Sequence, residues 1–141
     1  MSWKALAFGF ALSLVLAGLV WWGAAHRPQP AGRRQDSYGP EVAVTDEHML
    51  HSESLMAGGE TFFEGRLENR GNRVLTGLTA HLTFLGTDGR PVQQDTRELL
   101  SGQSPPVPPG TVYHFEIGFD HMAPQWNLAP PQVTPVAVYV K

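Results

Sequence analysis

The chain has 141 residues, 13 acidic and 10 Lys/Arg side chains, and a formal net charge of −3. That is room for one domain with accessories, and the charge gives no bulk attraction to nucleic acid. No cysteine is present, which excludes disulfides, thiolate metal sites, thiol catalysis and a lipidated-cysteine anchor.

Residues 5–25, ALAFGFALSLVLAGLVWWGAA, carry no charged side chain. A helix of about 20 residues rises roughly 30 Å, the thickness of a bilayer's hydrocarbon core. Trp3, Trp21 and Trp22 sit at the two ends of the run, where indoles favour the membrane interface. Residues 1–25 are therefore predicted to be a transmembrane anchor, with the lipid bilayer as the partner of residues 5–25. The rival is a cleaved secretory signal, for which Gly23 and Ala25 would supply the small-x-small site. The apolar run is longer than such signals need, and bulky Trp22 lies close to the junction.

For orientation, Arg27, Arg33 and Arg34 outnumber Lys4 and, counted literally, favour a cytoplasmic C-terminal side. A very short N-terminal tail before a long apolar run is the usual shape of a signal-anchor, which exports the chain on its C-terminal side. The expectation is a single-pass protein of the bacterial inner membrane with its C-terminal part extracytoplasmic. Gly9, Ser13 and Ala17 form a small-xxx-small row, a weakly specific helix-association signal.

Residues 26–40, HRPQPAGRRQDSYGP, are polar and proline-punctuated. They read as a flexible Pro/Arg linker lying outside any core, and about 15 extended residues would reach roughly 45 Å. From residue 41 the pattern changes to period two. Val42 and Val44 open a short strand. Over residues 60–68, Phe63, Gly65 and Leu67 alternate with Glu64, Arg66 and Glu68, a half-buried strand. Leu78, Ala80, Leu82 and Phe84 mark a third strand, ended by a turn over residues 87–90 in which Gly89 suits a positive φ. Residues 91–100 return as an edge strand, since Pro91 cannot donate a backbone hydrogen bond. After a proline-rich loop, Tyr113, Phe115, Ile117 and Phe119 share one face, with His114 and Glu116 on the other. Residues 133–141 close the chain with Val136, Val138 and Val140 on one side. The resulting fold class is all-β: an immunoglobulin-like antiparallel β-sandwich over residues 41–141, preceded by one N-terminal transmembrane helix.

The string Gly65-Arg66-Leu67-Glu68-Asn69-Arg70-Gly71 is followed by LTGLTAHLTFLGTDGRPV and then LLSGQSPPVPPGTVYHFEI. It resembles bacterial extracytoplasmic immunoglobulin-like modules of the FxLYD type, and more loosely CARDB-type adhesion domains. Phe84-Leu85-Gly86-Thr87-Asp88 stands near the FxLYD position, without its tyrosine and with the aspartate displaced by a residue. The resemblance implies a membrane-tethered or secreted β-sandwich and no particular ligand.

Chemistry-bearing residues are few. His48, Met49, His51 and Met56 cluster near the end of the first strand, and His121 and Met122 come after the fifth. Imidazole and thioether together suit Cu(I), although methionine also fills core gaps. His114 and Glu116 could make an acid/base pair, but polar alternation on an exposed sheet face produces such pairs routinely. No nucleophile elbow, phosphate loop or zinc motif occurs, so the chain is read as non-enzymatic and without a cofactor. Trp126 lies in a loop, either as an interaction anchor or as a cap on the open end of the sandwich. The leading functional expectation is a module that engages another protein of the cell envelope. A periplasmic copper-binding or metal-delivery module using the His/Met residues, and a structural subunit of a membrane complex, are the alternatives.

Overall fold

The computed structural model describes residues 29–54 and 58–141. The predicted anchor, its Gly9/Ser13/Ala17 face and Met56 lie outside the described residues. No helix among the described residues is long and apolar enough to cross a membrane.

Two antiparallel sheets carry the fold. The strands are β1 (Arg33–Arg34), β2 (Val42–Ser54), β3 (Gly58–Asn69), β4 (Leu75–Leu85), β5 (Pro91–Leu100), β6 (Val112–Phe119) and β7 (Gln132–Val140), with a 3-10 helix at Asp36–Glu41 between the first two. One sheet has the order β1-β7-β4-β5 and the other β2-β3-β6. The alternation expected of β3, β4 and β6 holds: Phe63, Leu67, Leu82, Phe84, Phe115 and Phe119 are buried between the sheets. The rings interlock edge to face, Phe63 on Phe115 and Phe84 on Phe119, each pair with centroids 5.2 Å apart. Such pairs add to what area burial alone contributes. Pro91 opens β5, which is an edge strand, and Gly89 takes φ +76 in the preceding turn.

Two expectations are corrected. The segment assigned to a linker is part of the domain from Pro30 onward. A Cβ at Gly77 would come within 2.6 Å of the Pro30 ring, and Arg33 and Arg34 pair with Val140 and Tyr139 of β7. Tyr38 is buried at 5 % exposure. Its hydroxyl donates to Asn69 Oδ1 at 2.9 Å and accepts from the Arg73 N–H at 3.0 Å. A single aromatic ring in a polar stretch has anchored it, a signal that period and composition do not carry. In β7, Val136 is 41 % exposed while Val138 and Val140 are buried. The β4 pairing steps from Thr79↔Ala137 to Ala80↔Pro135, so Val136 is the extra residue of a bulge and leaves the inward row.

The entering segment is clamped by charge. Asp36 accepts from Arg34 Nε at 3.0 Å and from the Val138 N–H at 3.2 Å. The Arg34 guanidinium first, and the Val138 N–H second, hold the Asp36 carboxyl below its ordinary range. A depressed carboxyl stabilises the folded state above its unfolded value, and that contribution is lost as pH falls through the folded value. Asp36→Asn should therefore lower the melting temperature at pH 7, and its gap to wild type should close as pH falls below about 4. Thermal melts at the two pH values check this.

Candidate functional site

The register defines two poles. Val42, Asn69, Leu75, Val112 and Val140 mark the end where the N-terminal segment enters; Ser54, Gly58, Leu85, Phe119 and Gln132 mark the other. A cavity of about 490 Å³ lies at the far, or distal, pole, lined by Met49, Leu50, His51, Thr61, Met122, Trp126 and Leu128.

A bulge in β2 builds this site. Pairing with β3 runs Val44↔Leu67 and Thr45↔Arg66, then resumes as His48↔Glu64, Met49↔Phe63 and His51↔Thr61. Asp46, at φ +50, and Glu47 take up one extra residue. Asp46 is held there by Arg66 Nη1 at 2.8 Å, and burial pushes the Glu47 carboxyl up. Because side chains alternate with period two, one inserted residue exchanges the faces of everything beyond it. Met49 and His51 consequently fall on the same face as Phe63 and Thr61, with Met49 half-buried and His51 exposed. His48 turns outward beside Glu64.

The two histidines of the predicted cluster thus lie on opposite faces of the sheet. His121 is exposed in the loop after β6, where its carbonyl accepts from Gln93 Nε2 at 3.4 Å. Of the predicted His/Met set, the fold brings together Met49, His51 and Met122. Thr61, Leu50 and Leu128 join them, residues with no sequence signal of a site. His51 Nδ1 lies 3.2 Å from Thr61 Oγ1, and the Thr61 side chain is buried.

Trp126 serves as the cap of the open end. It packs edge-on against Phe84 with centroids 6.1 Å apart, its Nε1–H donates to the Ala129 carbonyl at 2.9 Å, and its backbone bridges to Gly86. The same ring forms one wall of the cavity. Beside it Leu128 sits at φ +65 with its side chain 74 % exposed. The left-handed region costs a branched residue free energy, and exposure of a leucine adds nothing to the core. Leu50, 47 % exposed, also lines the cavity, although alternation sets its side chain on the sheet face opposite Met49 and His51.

A second concavity, about 530 Å³, lies on the outer face of β2-β3-β6 and is lined by Asp46, His48, Glu64, Arg66, His114 and Glu116, among others. Three carboxylates and one guanidinium line it, and Arg66 is already paired with Asp46. His114 and Glu116 stand there on the outward face, as expected, in a solvated polar ladder. Among the described residues no three His, Asp or Glu side chains gather closely enough to hold a metal ion.

The class these features define is an all-β, two-sheet sandwich with an apolar distal cavity. No protein-family model and no curated protein matches the chain. The X-ray structure of the Northeast Structural Genomics Consortium target SoR45 is similar at 13% identity and a TM-score of 0.41, over 73% of this chain and 86% of that one.

Proposed function

We propose that this chain is a non-enzymatic, membrane-tethered module of the bacterial cell envelope, an immunoglobulin-like sandwich of the FxLYD type that binds an apolar segment of another envelope protein at its distal pole. The observation that carries the reading is Leu128, a strained and exposed leucine lining an apolar cavity. Strain and exposed apolar surface both cost stability, and both concentrate where a protein makes contacts. The charge-free run of residues 5–25 supports the tether. The polarity of the domain supports the direction: β1 and the 3-10 helix join it at the proximal pole, so a tether there leaves the cavity facing away from lipid.

Photo-crosslinking in cells tests this. A photoreactive residue at Leu128 should give one dominant protein adduct that Leu50→Ser reduces at least severalfold. The same residue at Gln103, exposed near the proximal pole, should not give it. Absence of an adduct at Leu128, or the same adduct from Gln103, overturns the reading. A membrane-impermeant maleimide should label a single cysteine at position 128 from outside the inner membrane. Labelling only after lysis overturns the localisation.

A further inference from the structure

We propose that the distal cavity is a Cu(I) site, with the Met49 and Met122 thioethers and the His51 imidazole as ligands and the Trp126 indole as its wall. This goes beyond the docking reading, since it depends on the donors that line the cavity and not on Leu128.

The bulge and the β6–β7 loop bring the chemistry together. Met49 and His51 are two apart on one strand, so they share a face, and the one-residue bulge at Asp46 and Glu47 makes it the face of Phe63 and Thr61, with His51 exposed at the cavity wall. Met122 and Trp126 come from a different part of the chain and line the same cavity. Two thioethers and one imidazole form a soft, neutral donor set, which selects Cu(I) over hard divalent ions. The described residues hold no competing His/Asp/Glu cluster for a divalent ion.

Thr61 supplies the orienting contact. His51 Nδ1 and Thr61 Oγ1 are 3.2 Å apart, and in the tautomer with Nδ1–H as the donor the Nε2 lone pair is the one left to bind metal. Metal-ligating histidines are generally fixed in this way through the other ring nitrogen. Trp126 is held rigid by Phe84 and by the Ala129 carbonyl, and an indole face attracts a cation. Core packing accounts for Met49, Met122 and Trp126, which pack against the core, but not for the exposed His51 on the same cavity wall.

The experiment uses the full chain purified in detergent. Under anaerobic conditions Cu(I) is titrated in competition with bicinchoninate, and copper K-edge absorption reports the donors. Expected are one Cu(I) per chain, sulfur and nitrogen scatterers, and quenched Trp126 emission in a chain whose Trp3, Trp21 and Trp22 are phenylalanine. Met49→Leu with Met122→Leu preserves core volume and should abolish stoichiometric binding. His51→Asn should remove the nitrogen scatterer. Thr61→Val should weaken binding about tenfold. Loss of the Leu128 photo-adduct with stoichiometric Cu(I) binding retained, or the reverse, separates failure of the docking reading from failure of the metal site. Equal Cu(I) affinity in wild type and in the Met49→Leu/Met122→Leu chain, or a copper shell of nitrogen and oxygen only, overturns the proposal.

Discussion

Asn69→Leu is expected to destabilise the domain by about 3–4 kcal/mol, close to what losing four hydrogen bonds, two buried and two part-buried, at about 1 kcal/mol each would cost. Asn69 is 1 % exposed. Its Nδ2 donates to the Arg73 carbonyl at 2.7 Å and to the Val107 carbonyl at 2.8 Å. Its Oδ1 accepts from Tyr38 Oη at 2.9 Å and from the Gly71 N–H at 3.2 Å. Leucine fills a similar volume and satisfies none of these groups. Stability in denaturant is the readout. Tyr38→Phe should cost less, about 1–2 kcal/mol, because Asn69 keeps its other partners. If both variants stayed within 0.5 kcal/mol (about the scatter of neutral surface changes), the proximal pole would not be held by this network.

Phe84→Ala is expected to cost about 3–5 kcal/mol, the usual range for emptying a buried aromatic site. Phe84 is fully buried and touches both Phe119 and Trp126, so its loss removes core volume and the support of the distal cap together. Two readouts should move in concert. The denaturation midpoint should fall, and the emission of Trp126 in a chain lacking the other tryptophans should shift to longer wavelength as water reaches the ring. Phe84→Leu should retain most of the stability, costing roughly 1–1.5 kcal/mol. Against a total of about 5–15 kcal/mol for a domain, the alanine variant alone approaches the limit of folding.

Much of the sandwich was legible because β3, β4 and β6 bury one face and solvate the other. Phe63, Leu67, Leu82 and Phe115 fall where period two puts them. The places where the reading failed share a cause, which is departure from a regular ladder. Tyr38 hides in a polar, proline-rich stretch because a short 3-10 helix with one ring needs no repeating pattern. Val136 drops out of the inward row because a bulge inserts one residue, which alternation cannot register. The far half of β2 pairs as a hairpin arm out to Ser54 although its sequence, EHMLHSES, is largely polar.

The site shows the same limit. Met49, His51, Met122 and Trp126 were visible as residue types with suitable chemistry. Their convergence depends on the Asp46 bulge and on where the β6–β7 loop folds back. His48 had the same sequence credentials as His51, and only the inserted residue sends it to the opposite face.

The Cu(I) site rests on Met49 and His51 sharing the face of Phe63 and Thr61, and cross-strand proton contacts between β2 and β3 measure that directly by NMR. Contacts pairing Met49 with Phe63 and His51 with Thr61 are predicted. Contacts pairing His48 with Phe63 and Leu50 with Thr61 would mean an unbulged strand, with the soft donors turned outward and the distal cavity without its ligands.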